Sequence, residues 1–432
     1  MKNMKEYEKC AKEMLEFVEK SPSCFHAVAN VKKLLEEQEF EELKETEEWK
    51  TEPGKGYYVS RNDSSLIAFR LPEEAEKAGG FHIVASHSDS PSFKIKEAPE
   101  KTVENHYVSL NTEKYGGMIL STWLDRALSV AGRIVVREKD KTETKLVNID
   151  KDLLVIPNVA IHMNRDMNSG VAYNPQTDML PLFADCGGGK KASLMKKVAK
   201  AAGVKQEDIL GHDLFLYARE KGRILGNDGE FVLSPRLDDL QCVFSSVKAF
   251  TQACPTSYIN VCAVFDNEEV GSGTKQGADS TFLEDTLWRV AESLNMSRSC
   301  YLRLVAGSFL VSADNAHAVH PNHPELADPT NRPVLNGGIV IKYHGSQRYA
   351  TDAISAAKMK MLCERAKVPF QTYANRSDIV GGTTLGNISN AHVSVSGADI
   401  GLPQLAMHSA VETAGVKDTK YAVDMFRVFF EE

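Results

Sequence analysis

Two apolar runs in this 432-residue chain end abruptly in residues that bind metals or move protons, and this pattern narrows the fold sharply. FHIVASHSDS runs from Phe81 to Ser90, and YINVCAVFDNEE from Tyr258 to Glu269. Each apolar stretch has the length of a buried strand, so its polar end falls where a central strand meets a crevice. GSFLVSAD, Gly307 to Asp314, has the same shape, and NAHVSVSGADIGLPQLAMH from Asn390 supplies another strand followed by a polar turn. Between these strands Leu240, Val243, Phe244, Val247 and Phe250 recur at helical spacing, as do Phe282, Leu287, Val290 and Leu294. A third helical pattern spans 351–366. Alternating strands and helices predict an α/β fold, a mixed, mostly parallel sheet sandwiched by helices, with ligands gathered outside the carboxyl ends of the strands.

Two helices are expected at the start: one over Glu6 to Glu19, carrying Tyr7, Met14, Leu15 and Val18, and one restarted by Ser21-Pro22-Ser23 that runs through Val28 and Leu35. From 95 to 232 the pattern changes to short β-type runs (MILSTWL, IVVRE, LLVIPNVAIHM), which predicts an inserted, mainly-β domain. The flanking parts, 1–94 and 233–432, carry the polar strand ends and together form the expected catalytic domain. Within the insertion, GGGKKASLMKKVAKAAG from Gly187 reads as a mobile loop entering a lysine-rich helix. It is no phosphate loop, because Ser or Thr must follow the Gly-Lys pair and Lys191 stands there.

A net charge of −8 with no basic domain argues against nucleic acid as a partner. No apolar stretch approaches the roughly 18 residues that a membrane helix needs. The start, MKNMKEYEKC, has no apolar segment of the secretory kind, so no membrane partner and a cytoplasmic location are expected. Eight cysteines (Cys10, Cys24, Cys186, Cys242, Cys254, Cys262, Cys300 and Cys363) form no C-x-x-C pair and are expected to be reduced and structural.

The chemistry lies at the strand ends. His87 and Asp89 are two apart and share a face of the strand; His87 is a candidate metal ligand, and Asp89 a carboxylate that would fix its ring orientation and tautomer. A surface H-x-D pair is the bland alternative. Asp238-Asp239 in SPRLDDLQ stands at a helix start, where a carboxylate usually caps; that reading suits Asp239, whereas Asp238 is a candidate ligand. Adjacent Glu268 and Glu269 suit hydrolysis, because one can ligate a metal while its unligated neighbour takes a proton from water. Asp314 is a further candidate ligand; His317, His320 and His323 follow it, but Pro321 breaks the run and leaves them supporting or structural. His408, in the turn after Pro403 and Gln404, gains weight only from the set. His87, Asp238, Glu269, Asp314 and His408 together offer nitrogen and oxygen donors suited to two divalent cations: zinc, with cobalt or manganese as alternatives. Were Asp238 to bridge, each ion would have one histidine, one carboxylate of its own and a share of the bridge.

In order and wording, SPSCFHA, ASHSDSP, GGMILSTWLDR, IPNVAIHMNR, SPRLDDL, DNEEVGS, HAVHPNH, IKYHGSQRYA, GGTTLG and LPQLAMHS resemble the M18 metallopeptidases, the aspartyl aminopeptidase family of two-zinc exopeptidases, over nearly the whole chain. The resemblance implies the two-zinc exopeptidase fold, with the insertion as a lid and dimerisation domain, and removal of the N-terminal residue from peptides. It implies that His87 and Asp314 bind one metal, Glu269 and His408 the other, and that Asp238 bridges them. It makes Glu268 the general base and the peptide bond after Asp238 cis. His162 resembles a substrate-contacting histidine that reaches a neighbouring subunit's site, so activity would require a homo-oligomer, dimers assembled into a tetrahedral dodecamer. Lys342 matches a position facing the first substrate side chain, which implies a preference for Asp or Glu; a neutral-residue preference is the alternative within the family. Asp239 departs from many relatives, which carry Asn there, and adds negative charge near the metals.

Two rivals predict different features. A carboxypeptidase or deacylase would need a guanidinium aimed at a substrate carboxylate, for which Arg348 and Arg376 are candidates. A non-catalytic shell or binding module would have lost ligands, and every expected one is present.

Overall fold

Strands Phe81–His87 and Ile259–Phe265 are buried at every position, as their unbroken apolar runs require of strands covered on both faces. In the computed structural model, which describes residues 2–186 and 192–432, they lie parallel, with Phe265 opposite His87. Phe309–Ala313 flanks Phe81–His87 and Ser396–Gly401 lies beyond it, both again parallel. His87, the Asp266 to Glu269 segment and Asp314 therefore leave the sheet along one edge. Outer strands complete a nine-stranded sheet in the order 41–43, 56–61, 65–70, 259–265, 81–87, 309–313, 396–401, 339–343, 370–374. Antiparallel pairing joins 56–61 to 65–70, 65–70 to 259–265 and 339–343 to 396–401; the remaining neighbours are parallel.

The strand period of two sorts side chains between two cores. Ile259, Val261, Ala263 and Phe265 pack with helices Phe282–Ser293 and Arg298–Ala306. Cys262 and Val264 face the opposite layer, with helices Leu237–Gln252, Ala353–Ala366 and Asp418–Phe430. Each fully buried Val, Ile or Phe contributes about 1.5–3 kcal/mol, which helps offset the cost of burying charged groups at this edge. The first helix runs Lys2–Glu19 and the second Cys24–Glu36, close to the expected bounds. Ala353–Ala366 begins two residues later than the pattern predicts, because Asp352 caps it: its carboxylate accepts from Ser355 N at 2.8 Å while Ser355 Oγ accepts from Asp352 N at 2.9 Å.

A second sheet of six antiparallel strands, in the order 141–148, 128–138, 209–218, 92–103, 107–115, 182–185, has its own core of Phe93, Ile95, Leu110, Val130, Ile134, Leu214 and Leu216. Helix Leu194–Ala202 packs on it through Leu194 and Val198, and ends at Gly203 in the left-handed region, φ 68°. The expected mobile loop, 187–191, lies outside the described residues. A third sheet of five short strands, in the order 223–225, 231–234, 412–415, 403–405, 316–317, lies along the chain segments that carry Asp238, Asp314 and His408. All eight cysteines are free. Among the described residues no helix is long and apolar enough to cross a membrane.

Candidate active site

His87 is the last residue of its strand and almost wholly buried, with its backbone N–H donating to Asp239 Oδ2 at 3.1 Å. Its Nδ1 is nearer the main-chain carbonyl of Asp89, at 3.1 Å, than the Asp89 carboxylate, at 3.4 Å. That carboxylate has a second task. Asp89 Oδ1 accepts from Glu268 N at 3.1 Å and Oδ2 from Glu269 N at 3.2 Å, and Tyr115 donates its hydroxyl to Oδ2 at 2.7 Å. Asp89 thus orients the first histidine and caps the short turn that carries both glutamates. That turn follows Asn267, whose φ of 64° swings the chain sharply out of the strand.

Asp238 and Asp239 follow Arg236, which also has a left-handed backbone, φ 54°. The peptide bond between them is cis, as the resemblance implies. Asp239 is not the helix cap that its position predicts: its side chain turns inward, and its Oδ2 accepts from the His87 amide. His408 lies in a turn after strand Pro403–Leu405, with its Nδ1 against the Gly117 carbonyl at 2.9 Å. Glu412, which sequence reasoning missed, accepts from Asp238 N at 3.0 Å through Oε2 and from His408 N at 2.8 Å through Oε1. Its one legible signal is a lone carboxylate in a strand that is otherwise mainly buried, Glu412–Gly415.

Asp238 is the centre of the arrangement. Its Oδ1 lies 3.5 Å from His87 Nε2 and its Oδ2 3.4 Å from His408 Nε2. His87 Nε2 is also 3.8 Å from Asp314 Oδ1, and His408 Nε2 3.3 Å from Glu269 Oε2. These gaps are long for hydrogen bonds, but two tetrahedral ligands each about 2.0–2.1 Å from a zinc ion stand about 3.4 Å apart. Potential ligand atoms fall within 4.8 Å of one another in three groups: His87, Asp238, Asp239 and Asp314; His87, Glu268 and Glu269; Asp238, Glu269 and His408. Asp238 Oδ1 and Glu269 Oε1 are buried without a hydrogen-bond partner, a costly state for carboxylate oxygens that a cation relieves. The donors present fit zinc.

The electrostatics of the cluster point the same way. Burial opposes charge on His87, yet Asp238, Asp314 and Asp89 outweigh it and raise its pKa well above that of free imidazole. Burial likewise opposes charge on His408, but Asp238 and Glu269 raise its pKa to about 10. Asp238 is held far below the ordinary carboxylate range because the two imidazoles overcome its burial. Burial and the neighbouring Asp238 push Glu269 well up. Glu268 rises to about 8, through burial and through Asp314, Asp89 and Asp238, with His87 opposing. Positive charge is in demand at this point of the protein.

Residues 17–430 match the family profile described as "Aminopeptidase I zinc metalloprotease (M18)". The chain belongs to the M18 aminopeptidases. It is 48% identical over 431 residues to "Probable M18 family aminopeptidase 2" of Clostridium novyi (strain NT), covering 99% of this chain and 100% of that protein. A protein of the same name from Pseudomonas fluorescens (strain SBW25) is 38% identical over 422 residues, 96% of this chain and 97% of its own. Among solved structures, a chain of "Cryo-EM structure of the Ape4 and Nbr1 complex" superposes with a TM-score of 0.95 at 37% identity, over 98% of this chain and 86% of that one. "Structure of S. cerevesiae mApe1 dodecamer" gives 0.86 at 28% identity, over 99% and 97%. This M18 protein is accordingly a zinc metalloaminopeptidase, a hydrolase of the α/β class.

Two further expected residues stand apart from the three groups. In this M18 chain His162 lies on an exposed turn, between Ile161 and Met163, which are 45% and 83% exposed. Lys342, at the end of strand Ile339–Tyr343, is buried, with Nζ 3.4 Å from Asp314 Oδ2 and 5.7 Å from the centre of the Tyr349 ring. Burial would lower its pKa, but Asp314, Tyr349 and Asp399 raise it. His317, His320 and His323 join none of the groups. The guanidinium groups that a carboxypeptidase would need are engaged: Arg348 Nη1 donates to the Gly381 carbonyl at 2.7 Å, and Arg376 grips Asp378 at 2.9 and 2.7 Å.

Proposed function

We propose that this aminopeptidase works through two zinc ions and prefers peptides whose first residue is Asp or Glu. His87 and Asp314 would hold one ion, Glu269 and His408 the other, and Asp238 both. The observation that carries this assignment is the division of Asp238: each carboxylate oxygen faces a different imidazole, and each imidazole has a second acid beside it. Bound zinc would polarise the scissile carbonyl and make water a better acid.

The rest is the work of the chain. Glu268 takes the proton of the attacking water and returns it to the departing amine. Its backbone is fixed by Asp89 Oδ1. The surplus of carboxylates (Asp89, Asp238, Asp239, Glu268, Glu269, Asp314 and Glu412) draws in a free amino group and repels a free carboxylate, which favours cleavage at the N-terminus. Lys342 receives the acidic side chain: its contact with Asp314 is longer than the roughly 2.7–2.9 Å of a tight charge-assisted bond, which leaves the ammonium able to take a second carboxylate.

We take 95–232 as a lid and dimerisation domain. His162 would reach a neighbouring subunit from an exposed turn rich in apolar side chains, in dimers gathered as a tetrahedral dodecamer; Val159, Ile161 and Met163, 51%, 45% and 83% exposed, are the kind of surface that assembly covers. Eight free cysteines suit the reducing cytoplasm. The test strips the metal with a chelator, titrates zinc back, and compares a free-amine peptide with its N-acetylated twin. Turnover should return up to two zinc equivalents per chain and be confined to the free amine. Full recovery at one equivalent, or cleavage of the blocked peptide, would overturn the reading.

A further inference from the structure

The third sheet meets the zinc centre at its two turns. Strand Phe231–Ser234 leads through Arg236, φ 54°, into Asp238. Strand Pro403–Leu405 leads through Ala406, φ 56°, into His408, φ 66°. Non-glycine residues in the left-handed region are unusual and persist only where the surroundings over-determine them. Strand Glu412–Gly415 lies between these two strands, pairing Ser234 with Glu412 on one side and Leu405 with Thr413 on the other. Its first side chain then returns to the turns that its neighbours enter.

We propose that Glu412 is a positioning residue that locks the Asp238 turn and the His408 turn together, and so sets the spacing of the ligands on which zinc affinity depends. The proposal rests on the assignment of Asp238 and His408 as ligands. Glu412 is only 2% exposed, and one of its oxygens accepts from each ligand's backbone N–H, at 3.0 and 2.8 Å. Two acceptors on one rigid carboxylate tie two amides that lie 170 positions apart, Asp238 and His408. Neither oxygen belongs to a metal-competent group, so the side chain acts on the centre only through the backbone of its ligands. The arrangement repeats around the cluster: Asp239 accepts from His87 N, and Asp89 from Glu268 N and Glu269 N. Glu412 differs because its two amides belong to turns 170 positions apart, one of them, His408, only four residues before it and the other, Asp238, 174 away.

Glu412→Gln keeps the shape but offers a single acceptor, and turns an NH2 group towards a second N–H donor, which frees one turn. Glu412→Asp keeps the charge but is too short to span both amides. Competition with a chromogenic chelator on the full-length protein measures zinc affinity, and steady-state kinetics at saturating zinc separate kcat from KM. In Glu412→Gln, zinc should bind roughly 10- to 100-fold more weakly, as when other groups that orient metal ligands are removed; kcat should fall and KM stay nearly constant. Glu412→Asp should lie between the variant and the parent. A purely structural glutamate predicts a lower melting temperature with parental zinc affinity and kcat, and that result overturns the proposal. His408→Ala, measured alongside, isolates the premise: if it retains two zinc ions, the ligand assignment fails; if it loses one while Glu412→Gln binds zinc as the parent does, only the lock fails. Where Glu412→Gln does not fold, parental zinc affinity in Glu412→Asp overturns the proposal on its own.

Discussion

Glu268→Gln tests the division of labour between the paired glutamates. The substitution conserves shape and leaves the backbone N–H in place to donate to Asp89, so the turn that carries Glu269 should stand. The amide cannot accept a proton. General-base catalysis contributes roughly 10²- to 10⁴-fold, about 2.7–5.5 kcal/mol of barrier at 1.36 kcal/mol per decade, and the whole of that should vanish from kcat. Burial together with Asp314, Asp89 and Asp238 brings Glu268 to about 8, against the pull of His87. Cations in the adjacent groups lower that value, so the acid limb of the parent's kcat/KM profile should lie below pH 8, and it should flatten in the variant. The assay is initial rate against pH on a free-amine peptide, with zinc content measured on the same samples. Glu268 shares a possible metal group with His87 and Glu269, which makes the zinc measurement decisive. Two retained ions with turnover lost support a base. Loss of one ion would make Glu268 a ligand, and turnover within tenfold of the parent would refute the role altogether.

Other perturbations address the frame around the site. Burial, with Lys358 and Arg365, holds His82 at about 3 against an ordinary 6.5, in a slot between the rings of Tyr258 and Phe429. A base depressed in the folded state binds its proton only on unfolding, so its contribution is full above pH 6.5 and is lost as pH falls towards 3; at pH 5 that loss is about 2 kcal/mol. His82→Phe should therefore show a smaller drop in denaturation midpoint between pH 8 and 5 than the parent, and an equal drop would contradict the assignment. Gly386→Ala should destabilise by about 1–3 kcal/mol in chemical denaturation, because its Cβ would fall 2.8 and 2.9 Å from the Asp399 carboxylate oxygens and 2.9 Å from Ser312 Cβ. Lys342→Met should lower kcat/KM for Asp and Glu peptides at least tenfold relative to Leu peptides, the loss expected when about 1.4 kcal/mol or more of charge pairing is removed; an unchanged ratio would favour the neutral-residue alternative.

What sequence revealed and what it hid follow from one physical difference. A buried strand that ends in His87 or in Glu268-Glu269 breaks an apolar run, so the break can be read along the chain without knowledge of the fold. The α/β alternation follows from the same apolar runs and from helical spacing, whereas the order of the strands along the carboxyl edge, 259–265, 81–87, 309–313, 396–401, does not. The residues that were misread or missed act across the fold instead. Asp239 looked like a helix cap because the carboxylate-then-helix pattern is local, whereas its acceptance of the His87 amide depends on a contact 152 positions away. Asp89 was read as a partner of the histidine two residues before it, and its hold on the Glu268 and Glu269 amides, some 180 positions distant, has no local signature. Glu412 accepts from His408 N four positions before it and from Asp238 N 174 positions away, and as with Asp239 and Asp89 these partners are backbone amides, which any sequence supplies. Side chains that bind a cation are therefore chosen by element type and can be recognised, while the carboxylates that hold their backbones in place are chosen by geometry alone. It follows that losing either an acceptor oxygen or backbone reach at Asp89, Asp239 or Glu412 should cost more zinc affinity than neutralising an equally close surface acid.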